Sequence, residues 1–434
     1  MDSNKPSFSI IKIDYIPPSI VRQPPSPTAA RKEGKMEPKM IGGNKRSTRT
    51  YYPRSCKRKR KRLTEIESLP EEVLFDVLVR LEAQDIYESA RLACSKWYHM
   101  IHTHTFIYAH LQRSTYGLLI QSTFGDSFFM AVGESGRVEI SKNRYKLRCP
   151  IKTSCNGLLL EFDRGSNSSP YFLNPASNYK LYVLNPATRQ IFALPPFVGE
   201  LIKYELFGIA YDADSMVYKA VVIAGSRKNV CYILTIGVDN SWRTVDSECL
   251  SSLATLHKTT PLITEGFVHW YNVVTNVVLT MNVETEIITE TSGPNPENHL
   301  HTYLSTNPEY HRNTYLSTGR YLSLFRPCGD FCWEVWEMKP NIDYRWRKVC
   351  DISLKAHKCS TFQRFDITER VILVPLGWLK YPEVLVFGER ARFWSQIFVF
   401  NLLTQEIVTI ELPVRRCDYK IVVHKNSLVW LGGC

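Results

Sequence analysis

Residues 63–111 read LTEIESLPEEVLFDVLVRLEAQDIYESARLACSKWYHMIHTHTFIYAHL, and this stretch decides the fold of the first part of the chain. Ser68, Pro70 and Glu71 are typical of a helix start, because serine can cap the first turn, proline fits it and the acid completes a capping box. Apolar residues then recur at steps of one, three and four, which predicts a helix with one apolar face. These residues are Val73, Leu74, Val77, Leu78 and Leu81.

The same stretch predicts further short helices. Asp85 is expected to cap a second helix, with Glu88 three residues later as the box partner. The next apolar groups are Ile86, Ala90, Leu92, Trp97 and Ile101. The prediction is therefore a three-helix module of roughly 50 residues, a size that is marginal for a self-sufficient core. More apolar surface than the module can bury indicates a binding partner.

The order of residues in this stretch resembles the F-box. The resemblance rests on Leu69-Pro70, Val73-Leu74, Leu78, Leu81, Asp85-Ile86, Arg91-Leu92, Cys94, Lys96-Trp97 and Ile101. Two positions depart from the family pattern: Glu82 stands where many relatives have a second proline, and Ala93 where a valine often precedes the cysteine. The alternative interpretation is an ordinary helical hairpin inside a larger domain.

The F-box resemblance implies a partner and a set of contact residues. F-box proteins dock on a Skp-type adaptor, which links them to a cullin ubiquitin ligase. Six residues are then expected to contact the adaptor or to shape the surface that does so: Leu69, Pro70, Val73, Leu74, Ile86 and Trp97. Helical periodicity by itself does not say which of them face inward.

The positive charge of the chain belongs to its N-terminal part. The chain has 434 residues and a formal net charge of +12. Residues 1–62 hold 17 Lys/Arg and 4 Asp/Glu, a net +13, whereas the remainder holds 37 basic and 38 acidic residues, a net −1. Because residues 1–62 are rich in Pro, Ser and Lys and lack apolar periodicity, they are predicted to be a disordered tail.

Six consecutive cations close this tail. They are Lys57, Arg58, Lys59, Arg60, Lys61 and Arg62. Such a run is typical of a nuclear import signal. A solvated basic linker and a salt-dependent attachment to phosphates are the alternatives. The folded remainder is neutral, and no base-reading module accompanies the run.

The expected location is the nucleus, the cytoplasm or both. The first 30 residues lack the continuous apolar region of a signal peptide. No stretch approaches the roughly 20 apolar residues that span a bilayer. We therefore expect a soluble intracellular protein that does not associate with membranes, whose 12 cysteines are free thiols by default.

From about residue 115 the pattern changes from helices to strands. Short runs of β-branched and aromatic residues alternate with Gly, Pro, Asn and Asp, which predicts many short strands. The predicted strands include 116–121, 158–162, 180–184, 218–223, 230–236, 267–271, 277–281, 331–338, 371–374, 396–400 and 420–423. Their number over residues 115–434 favours a sandwich, a barrel or a propeller.

Internal repeats favour the propeller. The pattern Asn-x-x-Thr-x-x-Ile begins at Asn185, Asn282 and Asn401, each time after an apolar run, and predicts strand, turn and strand. The pattern Trp-Arg-x-Val begins at Trp242 and Trp346, which are expected to pack between sheets. The spacings of 97, 119 and 104 residues are each about twice 50. A four-stranded unit of roughly 45–50 residues gives six or seven blades.

A second resemblance covers residues 150–430. Its motifs are Cys155-Asn156-Gly157-Leu158-Leu159, Leu184-Asn185-Pro186-Ala187-Thr188-Arg189, Phe207-Gly208-Ile209-Ala210-Tyr211-Asp212, Ser241-Trp242-Arg243 and Gly266-Phe267-Val268-His269-Trp270. This series resembles the associated domain of plant F-box proteins, which is related to kelch-type propellers. The resemblance implies a mainly β protein with three parts: the tail 1–62, the F-box 63–111 and a propeller-like domain 115–434.

We find no catalytic constellation in the sequence. The histidines 99, 102, 104 and 110 fall near the predicted helices without a paired Cys-x-x-Cys, so we expect no metal and no cofactor. The acids Asp212 and Glu265 have no visible partner. The expected role is therefore that of a non-catalytic receptor.

The sequence favours one function and leaves two alternatives. The favoured one is a substrate receptor of a Skp–cullin–F-box ubiquitin ligase, which bridges an adaptor and a target protein of unknown identity. The first alternative is a nuclear nucleic-acid-binding protein that uses the basic run. The second is a propeller enzyme or a sugar-binding lectin, which would need a ring of polar residues on one face of the blades.

Overall fold

The computed structural model describes residues 8–12, 69–122, 126–133, 137–141, 145–163, 179–197, 206–224, 229–246, 261–272, 275–294, 315–318, 322–329, 331–338, 345–354, 372–390, 394–412, 419–429 and 431. Residues from Phe75 onward belong to one compact unit, whereas residues 69–74 belong to a second unit. No helix in the described part of the chain has the length and hydropathy needed to cross a membrane.

Four short helices come first, one more than the sequence predicts. They are α1 (Glu71–Leu78), α2 (Ala83–Glu88), α3 (Ser95–Ile101) and α4 (His104–Arg113), with a 3₁₀ turn at Ala90–Leu92. The extra break comes from Thr103, whose Oγ1 accepts a hydrogen bond from the backbone N–H of Phe106 at 3.2 Å and so caps α4. The predicted cap at Asp85 is wrong, because Asp85 lies inside the first turn of α2, which Glu82 precedes. Ser68 lies outside the described residues.

Six sheets follow, and their antiparallel strands form the blades of a propeller. The first blade contains β2 (Tyr116–Ser122), β3 (Asp126–Val132) and β4 (Val138–Ile140), with β5 (Tyr145–Lys146) paired to β3. The second contains β6 (Ile151–Cys155), β7 (Leu158–Asp163), β8 (Lys180–Asn185) and β9 (Gln190–Ala193). The third contains β10 (Leu206–Asp212), β11 (Val217–Ala224), β12 (Val230–Thr235) and β13 (Arg243–Val245).

The remaining blades repeat this arrangement. The fourth contains β14 (Leu262–Thr264), β15 (Phe267–Asn272), β16 (Val277–Asn282) and β17 (Ile288–Ser292). The fifth contains β18 (Tyr315–Thr318), β19 (Leu322–Gly329), β20 (Cys332–Met338) and β21 (Trp346–Ser353). The sixth contains β22 (Ile372–Lys380), β23 (Val384–Arg390), β24 (Trp394–Asn401) and β25 (Glu406–Glu411).

The ring closes through a strand from the far end of the sequence. Strand β26 (Tyr419–Lys425) pairs antiparallel with β2, so it supplies the inner strand of the first blade. The six inner strands β26, β6, β10, β14, β18 and β22 contact one another in that circular order. Closure removes the exposed inner edges that open sheets would leave. The structure thus fixes the blade count at six, within the predicted range.

Apolar layers between neighbouring blades make the core. Within the described residues, one buried cluster fills each of the six gaps between blades. The fully buried Trp270, for example, lies in the cluster between the third and fourth blades. Burial of these surfaces is the main stabilising term for such a ring.

The asparagine repeat forms the turn between the third and fourth strands of a blade, as predicted. In the second blade, Oδ1 of Asn185 accepts hydrogen bonds from the backbone N–H groups of Ala187 at 2.9 Å and Thr188 at 3.3 Å. Asn282 and Asn401 make the equivalent pairs of bonds in the fourth and sixth blades. The repeat therefore produces the same turn geometry in three blades, and a side-chain acceptor stabilises each turn.

The tryptophan repeat joins one blade to the next. Nε1 of Trp242 donates to the carbonyl of Pro195 at 3.0 Å, and Nε1 of Trp346 donates to the carbonyl of Ser292 at 2.9 Å. Pro195 follows the outer strand of the preceding blade, and Ser292 is the last residue of such a strand. This confirms the predicted packing role of the two tryptophans.

One segment of the predicted disordered tail forms a strand. Strand β1 (Phe8–Lys12) pairs parallel with β25, in register from Phe8 opposite Ile407 to Lys12 opposite Glu411. Its sequence FSIIK is the kind of short apolar, β-branched run that joins an unpaired sheet edge. The rest of residues 1–62, including the basic run 57–62, lies outside the described residues.

Candidate functional site

Helix α1 presents two different faces. Val73 and Val77 are one turn apart, and their side chains are 45% and 49% exposed. Leu74 and Leu78, which are also one turn apart, are buried. Residues four apart share one face of a helix, so α1 has a buried leucine stripe and a solvent-facing valine stripe. Apolar side chains on the solvent side add nothing to the core and are available to a partner.

The structure divides the six predicted contact residues into three groups. Pro70 and Val73 are exposed, and Leu69 and Trp97 are half-buried. Leu74 and Ile86 are buried, with Ile86 fully inaccessible. The last two residues can therefore shape a surface by holding the helices, but they cannot offer their side chains to a partner.

Other exposed apolar residues were not among the predicted six. Leu81 follows α1, Leu92 ends the 3₁₀ turn and Tyr98 lies in α3, and all three are exposed. Leu92 is the most exposed of the three, with 67% of its surface accessible to solvent. Helical periodicity groups Leu81 and Leu92 with the core residues, so only their exposure in the structure distinguishes them.

Three of the four histidines in the helices lie within hydrogen-bond distance of a backbone carbonyl group. Nδ1 of His99 lies 2.6 Å from the carbonyl oxygen of Ser95, and Nδ1 of His102 lies 2.6 Å from that of Tyr98. Nε2 of His110 lies 3.0 Å from the carbonyl oxygen of Leu81, 29 residues earlier. Burial lowers the pKa of His110 in spite of this contact. Across the described ranges, no group of three or more His, Cys, Asp and Glu side chains could hold a metal ion.

Helix α4 is built into the propeller. Only Ser114 and Thr115 separate its last residue from β2. Leu111 is buried in the apolar cluster between the second and third blades, and Ile107, one turn earlier, packs against the same cluster. A helix that shares a core with the sheets cannot rotate independently of them.

An ion pair adds a second contact between the helices and the second blade. The guanidinium of Arg189 donates to the carboxylate of Glu88, the last residue of α2. Arg189 has a positive φ of 56° in the turn that Asn185 begins, at the end of β8. Both side chains are largely exposed, so this pair is worth at most about 1 kcal/mol and serves mainly to orient the two parts.

The turns between strands define two ends of the propeller. In the second blade, the turns that begin at Asn156 and Asn185 lie at one end, because successive strands are antiparallel. Arg189 belongs to a third-to-fourth turn, so the helices contact this turn end of the second blade. The opposite end is where the second strand of a blade ends and the third begins.

Two family models match the sequence. An F-box-like domain matches residues 66–114, and an F-box-associated beta-propeller domain matches residues 128–305. No match was found among curated proteins.

Several solved structures resemble the propeller at low sequence identity. A chain of a nidogen–laminin complex is 10% identical over 71% of this chain and 98% of its own, with a TM-score of 0.37. Sqt1 of Saccharomyces cerevisiae is 9% identical over 67% and 69%, with a TM-score of 0.35. The lectin SapL1 in complex with α-methyl fucoside is 12% identical over 70% and 99%, with a TM-score of 0.34.

Proposed function

The chain is an F-box protein with a C-terminal F-box-associated propeller, and from this premise we propose that it is the substrate receptor of a Skp–cullin–F-box ubiquitin ligase. In this role the helices bind a Skp-type adaptor, the adaptor binds a cullin, and the propeller holds the target protein. The two domains fit a receptor that carries out no chemistry of its own.

One observation carries the proposal. The helices ahead of the propeller leave Val77, Leu81 and Leu92 exposed to solvent, while the neighbouring Leu78 and Ile86 are buried. Exposed apolar side chains beside a complete core are the surface that a stable partner would cover. For an F-box of this type, the expected partner is the Skp-type adaptor.

The mechanism that we propose is positional. Holding a target beside a charged conjugating enzyme raises the effective concentration of its lysines, and no covalent intermediate on this chain is required. Because the helices contact the turn end of the second blade, the opposite end of the propeller is left for the target. This division gives each partner its own end of the receptor.

Coprecipitation with a Skp-type adaptor tests the proposal. Leu92→Asp and Val77→Asp should each weaken binding at least tenfold, because a charge would have to be desolvated in the interface. Leu403→Asp is the matched control, since Leu403 is 73% exposed in a turn of the sixth blade. The control should bind like the wild type.

The predicted contact residues are tested in the same assay. Leu69→Ala/Pro70→Ala should also bind less adaptor than the wild type. Equal binding by this double variant would remove those two residues from the interface but leave the function intact. If the wild-type chain binds no Skp-type adaptor, the proposed function itself is wrong.

We also propose that the run Lys57–Arg62 is a nuclear import signal, which places the receptor in the nucleus as well as the cytoplasm. The proposal rests on the six consecutive cations and on the neutral charge of residues 63–434. Replacing all six by Gln should move a fluorescent fusion from the nucleus to the cytoplasm. An unchanged distribution would leave the run with no role in import.

A further inference from the structure

The residues after the closing strand form an ordered segment. Residues 426–429 and 431 follow β26, and we name them the C-terminal segment. Ser427, Leu428 and Val429 are all buried, with Ser427 fully inaccessible. A segment outside every sheet is normally solvated, so this degree of burial indicates that it fills a specific place.

Side chains and turns of the second blade hold this segment by hydrogen bonds. Nδ2 of Asn185 donates to the carbonyl groups of Ser427 at 2.9 Å and Val429 at 2.8 Å. Oγ of Ser427 donates to the carbonyl of Asn156 at 2.6 Å. A Cβ atom at Gly157 would lie 2.0 Å from Oγ of Ser427, so the turn can accept the segment only with glycine there.

The same segment contacts the core that holds helix α4. Val429 belongs to the buried cluster between the second and third blades, which also contains Leu111 of α4. Ile107 of α4 and Leu431 of the C-terminal segment both pack against that cluster. The helix and the segment therefore share one apolar core at the turn end of the propeller.

Asn185 differs from the other two asparagines of the repeat. All three use Oδ1 to hold their own turn. Asn185 is 2% exposed and its Nδ2 is committed to the C-terminal segment, whereas Asn282 and Asn401 are half-buried. The same turn also carries Arg189, which pairs with Glu88 of α2. The turn 185–189 thus touches both the segment and the helices.

We infer that the C-terminal segment is a latch that fixes helices α2–α4 to the propeller, and that Asn185 is the positioning residue that holds the latch. The latch keeps the helical surface at a constant distance and angle from the propeller. The consequence for ubiquitination rests on the proposed function, because a fixed geometry selects which target lysines come within reach of the conjugating enzyme. The attachment itself does not depend on that function.

The substitution Asn185→Asp tests the latch selectively. A carboxylate keeps the Oδ1 acceptor that the turn needs, as Asp212 does for the backbone N–H groups of Asp214 and Ser215, each at 3.2 Å. It replaces the Nδ2 donor with an oxygen that faces the carbonyls of Ser427 and Val429. Asn282→Asp is the matched control, because it makes the same change in a turn that the C-terminal segment does not reach.

Hydrogen exchange of the full chain, followed by mass spectrometry, is the measurement. Asn185→Asp should speed exchange at least tenfold both in the C-terminal segment and in α4, since two buried hydrogen bonds are lost. Peptides of β15, in the fourth blade, should exchange as in the wild type, and so should every peptide of Asn282→Asp. If exchange rises in the segment but α4 stays as protected as before, the segment is not a latch for the helices.

A second variant covers the case in which Asn185→Asp does not fold. Ser427→Ala removes the hydrogen bond to Asn156 without placing a charge in the core, and it should speed exchange in α4 and in the C-terminal segment together. Unchanged α4 exchange in this variant would also overturn the inference. Coprecipitation of the same samples with a Skp-type adaptor distinguishes the latch from the receptor function. If the wild-type chain binds no adaptor, the receptor function is refuted, but the exchange result for the latch still stands.

Discussion

Nζ of Lys219 lies 3.2 Å from Oδ2 of Asp212, and both side chains are almost fully buried where β10 turns into β11. The same Nζ lies 3.0 Å from Oε1 of Glu286 and donates to the carbonyl of Val283 at 2.7 Å. Lys219 therefore joins the third blade to a turn of the fourth. The sequence left Asp212 without a partner, and that interpretation is wrong.

Removing this lysine should destabilise the ring strongly. In Lys219→Met, Asp212 stays buried without its cation, whereas the half-buried Glu286 keeps the guanidinium of Arg243. Breaking one side of a buried ion pair costs about 3–5 kcal/mol. Urea denaturation followed by tryptophan fluorescence should show a loss of this size in the free energy of unfolding.

Lys348→Met provides the comparison. Lys348 pairs with Glu334 at 3.1 Å and Asp351 at 2.8 Å, but it lies on the outer strand of the fifth blade and is partly exposed. Such pairs contribute about 0–1 kcal/mol each. Equal losses in the two variants would mean that burial of Lys219 adds nothing to its role between the blades.

Glu161 should make the protein less stable as pH rises toward neutrality. Burial in β7 raises the pKa of Glu161 to about 7, although the backbone N–H groups of Cys149 and Arg148 partly counteract the shift. The folded state then holds a proton that the unfolded state releases near pH 4.5. Stability from this group is complete below about pH 4.5 and declines as pH rises to about 7.

The variant Glu161→Gln should remove that decline. At pH 8 it should exceed the wild type in unfolding free energy by about 3 kcal/mol, and the difference should vanish near pH 4.5. Glu139→Gln, at an exposed glutamate of β4, serves as the control and should follow the wild-type profile. A Glu161→Gln profile parallel to the wild type at all pH values would contradict this account.

Two buried histidines should make the protein less stable as pH falls, which is the opposite of the effect of Glu161. His269 lies between the hydroxyl groups of Thr264 and Thr280, each 2.8 Å from a ring nitrogen, and Nδ1 of His424 lies 2.8 Å from Oγ of Ser154. Burial lowers the pKa of both histidines to about 3. The unfolded chain binds protons at these residues near pH 6.5, so stability is complete above that value and is lost as pH falls below it.

The variant His424→Phe should flatten this acid loss. The ring of His424 contacts Phe129 edge to face, and a phenylalanine ring keeps this contact while it gives up the hydrogen bond to Ser154. Thermal denaturation at pH 6.5 and pH 5 should show a smaller drop in melting temperature than in the wild type. His99→Phe changes an exposed ring and should keep the wild-type drop. A drop of equal size in both variants would rule out His424 as a source of acid sensitivity.

Local patterns explain why much of the fold could be predicted. Each of these patterns depends on a few neighbouring residues and can therefore be recognised in the sequence: the strand periodicity, the asparagine repeat and the tryptophan repeat. The number of helices was harder, because the break before α4 depends on whether Thr103 caps a new helix or continues the old one. The exact blade count depends on the pairing of β26 with β2, which are about 300 residues apart in the sequence.

Contacts between distant parts of the chain were less predictable for the same reason. Asn185 holds Ser427 and Val429 across 242 and 244 residues, and Lys219 meets Glu286 across 67. No short motif reports such a contact. Within α1, the apolar pattern predicts an amphipathic helix, but it does not distinguish Val77, which is exposed, from Leu78, which is buried.

Two substitutions of Asn401 distinguish the contribution of its side-chain acceptor to the turn from that of its side-chain volume. Oδ1 of Asn401 accepts from the N–H groups of Leu403 at 2.9 Å and Thr404 at 3.1 Å. Asn401→Ala should lower the free energy of unfolding by about 1 kcal/mol, because water replaces the acceptor only in part. Asn401→Asp should cost less than half as much, since the carboxylate of Asp212 makes the same pair of hydrogen bonds in the turn between β10 and β11. Thermal melts that show equal losses for the two variants would mean that the acceptor does not hold the turn.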